Sequence, residues 1–353
     1  MSNAQPPHPS EHTPPGTVGG RLPQRRVGDS DLFVSSVGLG GNNFGPMFAN
    51  GLDASASRAV VEAALDAGIT LFDTGEGYSD GVSEQYLGRA LKGRRDEVVI
   101  ATKFGSARSG VIPRAGGSPA SIERSLDASL RNLSTDYIDL WYFHFPDHET
   151  PIEETLGALH ALVTAGKVRY IGCSNFSPEQ LLQADADARA MGVTRFVALQ
   201  DKYNLIERDA ESALFPLCRD LNIGFVPYFP LASGLLTGKY TRGKPPPPGS
   251  RLAMSRFTYM LADELLDRVD TLREFAESHH RSLHELAIAG LACQPEVASV
   301  IVGATSPEQV RTNVAAAERE LDPAELAELL ALPRFANVDR RGAVKRASDT
   351  DVD

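Results

Sequence analysis

From Val37 onward the chain alternates short apolar runs with longer amphipathic stretches. The runs are Val37–Leu39, Thr70–Asp73, Val98–Lys103, Ile138–His144, Tyr170–Ser174, Val197–Gln200, Gly224–Pro227 and Ser299–Val302. They show little polar alternation, the pattern of parallel strands covered on both faces. The stretches between them carry helix-start signals. Thr150-Pro151-Ile152-Glu153 offers an N-cap, a proline at the first helical position and a returning glutamate. Ser177-Pro178-Glu179-Gln180 and Ser306-Pro307-Glu308-Gln309 repeat that logic, and Asp322-Pro323-Ala324-Glu325 opens a last helix. Gly68 and Gly166 fall where helices should stop.

Eight such strand–helix units over roughly 280 residues predict an α/β fold, a (β/α)8 TIM barrel, whose reactive groups come from the C-terminal strand ends. An open doubly wound sheet would usually show GxGxxG after its first strand. Here that strand leads into Gly38-Leu39-Gly40-Gly41-Asn42-Asn43 with no helix start directly behind it. The pattern predicts a single barrel domain over 21–335 with long C-terminal-face loops. Residues 1–20, rich in Pro, Gly, Ser and His, read as a disordered N-terminal tail, and 336–353 as a polar C-terminal tail. The run Pro245-Pro246-Pro247-Pro248 reads as stiffening of a surface loop.

Composition narrows the partners. An apolar fraction of 42% supplies a sizeable core for the 353 residues. A formal charge of −11 argues against a general nucleic-acid or anionic-membrane surface, but leaves room for a local basic pocket. Cys173, Cys218 and Cys293 form no CxxC pair, so neither a zinc cage nor a disulfide framework is expected, and a reducing cytoplasm fits. No apolar run reaches about 18 residues, and the N-terminus lacks a basic-then-apolar signal pattern. Oligomeric state is left open.

The candidate chemistry lies at the strand ends. Asp73 closes Thr70–Asp73, Tyr78 follows in a Gly-rich loop, Lys103 closes Val98–Lys103, and His144 closes Ile138–His144. Singly, each has an ordinary structural explanation, as turn cap, loop packing, solvated amine or core imidazole. Jointly, at one barrel mouth, they form a proton-transfer set for carbonyl chemistry. A phenol is a weak acid near neutral pH, and a neighbouring ammonium favours the phenolate and lowers its pKa. Lys103 can supply that ammonium, Asp73 can hold it, and His144 can hydrogen-bond the oxygen where charge develops. Nothing in the set supplies a hydride, so a redox cofactor is required.

These residues carry a family resemblance. Phe72-Asp73-Thr74 with Gly77-Tyr78-Ser79, Ser83-Glu84-Gln85-Tyr86-Leu87-Gly88, Ala101-Thr102-Lys103, Tyr137-Ile138-Asp139-Leu140 leading to His144, and Gly166-Lys167-Val168-Arg169-Tyr170-Ile171-Gly172-Cys173-Ser174-Asn175 together resemble the aldo-keto reductases, from about Arg25 to Leu332. The resemblance implies an NAD(P)H-dependent oxidoreductase acting on a carbonyl or alcohol, with Asp73, Tyr78, Lys103 and His144 catalytic. It places Ser174, Asn175 and Gln200 at the nicotinamide carboxamide and Tyr228 against the ring. Gly41 and Asn42 approach the cofactor from the first strand. Phe229, Pro230 and Leu231 begin the loop over the diphosphate, with Lys239 as its cation. Gly303, Thr305, Gln309 and Asn313 are implied at the adenosine end, where a helix N-terminus favours an anion.

The chain departs from the family pattern in places. Gly303 and Gln309 stand where some branches carry Lys and Arg for the adenosine 2′-phosphate, while Arg251 occupies a comparable place to a basic loop residue of other branches. The guanidinium fork suits phosphate, so NADPH is favoured with NADH as the alternative. Phe229 replaces a common Ser. The expected substrate walls are 43–50, 105–117, 145–149 and 232–262, contributing Phe44, Phe48, Phe104, Phe145, Phe257 and Tyr259. They suit a small aldehyde or ketone with an apolar part, although loop packing explains them equally well. An NAD-dependent dehydrogenase of the same fold, acting on an alcohol, sugar or pyridoxal-type substrate and running the same chemistry in oxidation, is one alternative. A cofactor-sensing interaction subunit of the same fold is another, and His144, where such subunits often differ, favours an enzyme.

Overall fold

The computed structural model describes residues 22–48, 50–106 and 116–334. Both expected tails and the wall segment 107–115 lie outside the described residues. Eight parallel strands form the barrel: β1 Val37–Gly40, β2 Leu71–Asp73, β3 Val99–Phe104, β4 Ile138–Phe143, β5 Val168–Ser174, β6 Ala198–Lys202, β7 Gly224–Tyr228 and β8 Val300–Gly303. Neighbours pair in the order β8-β1-β2-β3-β4-β5-β6-β7. Between β7 and the residues just before β8, Phe225 N–H donates to Glu296 O at 2.9 Å and Ala298 N–H to Phe225 O at 2.8 Å, which closes the barrel. Each expected strand is present with its ends moved by a residue or two. β4 stops at Phe143, so His144 lies just beyond the strand, and Lys103 is one residue short of the end of β3.

The twofold period of a strand decides what enters the barrel. Leu71, Val99, Ala101, Leu140, Ala198 and Val226 pack in one interior cluster, while the alternate residues Phe72, Ile100, Phe104, Trp141, Leu199 and Phe225 pack outward under the helices. Two residues beyond the interior set, the same alternation gives Asp73, Lys103, Tyr142, Gln200 and Tyr228. The interior is thus apolar below and polar at its C-terminal rim, the layering expected of this barrel. Gly172 makes room in the rim. A Cβ there would meet the Tyr142 ring at 2.7 Å, so the missing side chain on β5 is filled from β4.

A hairpin absent from the sequence-based expectation plugs the opposite end. Strands Gln24–Arg26 and Phe33–Ser35 pair antiparallel, and Val27, Leu32 and Val34 join the interior cluster. The turn needs Gly28. Its φ is +57°, and a Cβ would meet Asn222 O at 2.4 Å. Helix starts mostly follow the expected caps. Ser177 forms a capping box with Gln180, and the Ser306 and Asp322 side chains accept from their helices. Gly68 and Gly166, with φ of +83° and +72°, follow helix ends. Thr150 is the exception. The helix Ile152–Thr164 begins a residue late, with Pro151 in the cap position, and the Thr150 N–H instead donates to Asp147 at 2.6 Å. No helix of the described residues is long and apolar enough to cross a membrane.

A charged cluster ties three strands together near their N-terminal ends. The Asp139 carboxylate, 1% exposed, meets Arg95 at 2.7 Å and Arg169 at 2.8 Å, and accepts from Ile100 N–H at 3.0 Å. Removing the carboxylate leaves the Ile100 N–H without its acceptor and two part-exposed guanidiniums without their anion. Asp139→Ala should therefore lower unfolding free energy by about 2 kcal/mol, read from the urea midpoint. A midpoint equal to that of the parent protein would contradict this role.

Candidate active site

The polar rim organises around one ion pair. Lys103 Nζ lies 2.5 Å from Asp73 Oδ1, with 1% and 4% of the two side chains exposed. The ammonium also donates to Thr74 O at 2.7 Å. The other Asp73 oxygen accepts from Gln200 Nε2 at 2.8 Å, so one carboxylate links β2, β3 and β6. Tyr78 comes from the loop after β2, in a turn spanning Tyr78–Gly81. Ser79 and Asp80, which follow it, are both left-handed at φ +52°. Lys103 Nζ lies 4.8 Å from the centre of the Tyr78 ring. His144 approaches from β4, its ring edge-on to Tyr78 at 6.1 Å. The four residues expected to meet do meet, two from strands, one just past the end of a third and one from a loop.

His144 is fixed on several sides. Its N–H donates to Phe104 O at 2.9 Å, and its carbonyl accepts from Asn175 Nδ2 at 2.9 Å. Nδ1 lies 2.8 Å from Ser106 Oγ, and the ring stacks on Phe145 at 4.4 Å. Asn175 is left-handed at φ +59°, a conformation asparagine tolerates better than most residues. Its amide also donates to Ser174 Oγ at 3.0 Å, and its oxygen accepts from Tyr228 O–H at 2.8 Å.

Electrostatics sharpen the picture and correct one expectation. Burial pushes the Tyr78 phenol up. Lys103 pulls it down and Asp73 adds to the rise, and the net shift is upward, not downward. The ammonium is present, but removing the phenol from water outweighs it. Burial also opposes the Lys103 charge, yet Asp73 and Tyr78 together leave its pKa above the ordinary lysine value. Burial, with help from the Lys103 charge, holds the His144 imidazole well below its ordinary value.

The rim opens into a cleft of about 1230 Å³. Asp73, Tyr78 and His144 line one end of it. Asn42, Asn175, Gln200, Tyr228, Phe229, Pro230, Leu231, Lys239, Arg251, Gly303, Thr305, Gln309 and Asn313 line the rest. Lys103, Gly41 and Ser174 sit behind this wall. Gly41 is held by close approach. A Cβ would meet Ser83 Oγ at 2.9 Å, and its N–H donates to Asp73 O at 2.7 Å. Some lining groups already have partners. Arg251 donates to Asn43 Oδ1 at 2.7 Å and lies over the Phe48 ring at 4.7 Å. Gln309 Oε1 accepts from Thr305 N–H at 2.8 Å. Among the described residues, no cluster of His, Cys, Asp and Glu could hold a metal ion.

The expected aromatic walls shrink. Of the six aromatic residues expected there, Phe48 and Phe145 reach the cleft. Phe44 and Phe104 are core residues, and Phe257 and Tyr259 pack against the core from the long loop. Sequence reasoning missed Ser106, Asn43, His284 and Met47. Asn43 and Met47 fall inside the expected wall segment 43–50 and Ser106 inside 105–117, but none is singled out there. His284 sits behind the cap Ser282 on another helix, where its Nε2 meets Asn313 Oδ1 at 2.9 Å. Ser106 carries no motif, because its partner lies 38 residues away.

A closed parallel barrel with a buried acid, amine, phenol and imidazole at one end of a long cleft is the architecture of a barrel oxidoreductase. A sequence profile of the Aldo/keto reductase family matches residues 36–333. A rice (Oryza sativa subsp. japonica) protein named probable voltage-gated potassium channel subunit beta is 36% identical over 300 residues, covering 83% of this chain and 90% of that one. The NADH-specific methylglyoxal reductase of Escherichia coli K12 is 34% identical, covering 85% and 94%. The L-glyceraldehyde 3-phosphate reductase of the same strain is 34% identical, covering 84% and 88%. The chain belongs to the aldo/keto reductase family, oxidoreductases of carbonyl compounds that use nicotinamide cofactors. The cleft fits such a group, with a phenol ring at Tyr228, cations at Lys239 and Arg251, and a helix N-terminus capped by Ser306 at its far end.

A depressed pKa keeps a base neutral to lower pH, so the His144 ring should take up no proton as pH falls from about 8 to about 5.5. Its imidazole carbon shifts, followed by NMR, should stay those of a neutral ring. A midpoint near the ordinary histidine value would contradict the buried electrostatics.

Proposed function

We propose that the protein is an NADPH-dependent reductase of small aldehydes and ketones, with Tyr78 as proton donor. The observation that carries this is the meeting of Tyr78, Lys103, Asp73 and His144 at the end of the cleft beside Asn175 and Tyr228. A nicotinamide dinucleotide, when bound, supplies the hydride to the carbonyl carbon. His144, neutral, hydrogen-bonds the carbonyl oxygen and orients it. The Tyr78 hydroxyl gives that oxygen a proton, and the Lys103 ammonium stabilises the phenolate left behind. Asp73 holds the ammonium in place. The phenol carries its proton at neutral pH, and burial makes it a weaker acid, a cost to proton donation that the Lys103 ammonium offsets in part.

The cleft end offers Met47, Phe48 and Phe145 beside Asn42 and Asn50, suited to a small carbonyl with an apolar portion. Arg251 supports NADPH because its guanidinium lies on the cleft wall, where Asn43 holds it. The relative named as NADH-specific supports the alternative cofactor. The relative named as a channel subunit supports a second reading, a cofactor-binding interaction subunit. Tight NADPH binding without turnover on a broad aldehyde panel would favour it. All three cysteines are free, which supports a cytoplasmic setting.

Tyr78→Phe should leave the NADPH dissociation constant within a few-fold and lower kcat by about a thousandfold. Near-normal turnover would sink the donor role. Arg251→Ala should raise the KM for NADPH about tenfold while sparing that for NADH. Equal effects on both would remove the phosphate assignment.

A further inference from the structure

The Ser106 hydroxyl faces His144 Nδ1 at 2.8 Å, and its placement is over-determined. Gly105, at φ +66°, turns the chain out of β3 against Phe143, whose ring a Cβ would meet at 2.9 Å. The next N–H, that of Ser106, donates to the Glu76 carboxylate at 3.2 Å. Ser106 is 1% exposed and Glu76 6%, so water does not compete freely for either. The imidazole is pinned separately through its backbone, by Phe104 O and by Asn175.

A hydroxyl this buried needs an acceptor for its proton. Among the described residues, His144 Nδ1 is the acceptor within reach of Ser106 Oγ. We propose that Ser106 is a positioning residue that sets the tautomer of His144: its hydroxyl donates to Nδ1, leaving the ring proton on Nε2, the nitrogen left for a substrate oxygen. The opposite tautomer would present a lone pair to the carbonyl and repel it. A neutral imidazole has one donor and one acceptor nitrogen, and the bond at one nitrogen decides the other. Glu76 acts one step further back, by holding the backbone that carries the serine. The inference rests on His144 being the group that meets the carbonyl.

Tautomer and turnover are measured separately. Proton–nitrogen correlation spectra of histidine-labelled, cofactor-free protein should show His144 as a single Nε2–H tautomer. Ser106→Ala should mix the two tautomers and lower kcat by about tenfold or more, with the cofactor dissociation constant unchanged. Ser106→Thr keeps the hydroxyl and should restore both readouts. A parent spectrum showing Nδ1–H, or an alanine variant that keeps the pure Nε2–H form, would overturn the proposal. Tautomer changes as described, in a protein that reduces no carbonyl, would support the placement of Ser106 and defeat the reductase reading instead.

Discussion

An ammonium and a carboxylate meeting at 2.5 Å inside the barrel, Lys103 and Asp73, are what the rest of the site leans on. Two charges taken out of water cost several kcal/mol each, and their attraction offsets this only with good geometry and further hydrogen bonds. Both conditions hold here. The lysine has Thr74 O as a second acceptor, and the aspartate has Gln200 as a second donor. The pair is possible because the strand period turns Asp73, Lys103 and Gln200 to the barrel interior just above the last apolar layer. The same period makes the cluster rigid, since moving any member by one residue along its strand would turn it outward under the helices.

On that base the two neutral groups are held in opposite senses by the same burial. Loss of water keeps the proton on Tyr78 and keeps it off His144. The Lys103 charge moderates the first and reinforces the second. The resting state is therefore a protonated phenol beside a neutral imidazole, both next to a cation. In the proposed reduction that state gives a proton to the substrate oxygen and accepts negative charge in return. The amides around it are already engaged with one another. Asn175 bridges His144, Ser174 and Tyr228, so the wall of the cleft is shaped before any ligand arrives.

Much of this could be read from the sequence because parallel strands buried on both faces leave continuous apolar runs, and polar residues at their ends stand out. Asp73, Lys103 and His144 stand out for that reason, whereas Gln200 is reached only through the family resemblance. The N-terminal hairpin was not, because Val27, Leu32 and Val34 are thinly spread in a polar stretch and find their core only through tertiary packing. The aromatic walls misled for a related cause. Phe44 and Phe104 are loop or strand-end residues that pack into the core rather than line the cleft, and apolar character alone does not say which way a side chain faces. Nor could the net shift of Tyr78 be read from its neighbours, since it depends on how completely the phenol leaves water. Ser106 had no local signal, because its meaning lies in a residue on another strand's end.

The central claim is that Asp73 keeps Lys103 charged beside the phenol. The pH dependence of kcat in Asp73→Asn tests it most directly. Without the carboxylate, burial dominates and the ammonium should lose its proton at lower pH. Turnover of the variant should then fall as pH rises from about 6 to about 9, while the parent protein holds steady. A variant whose profile simply runs parallel to that of the parent would contradict the account.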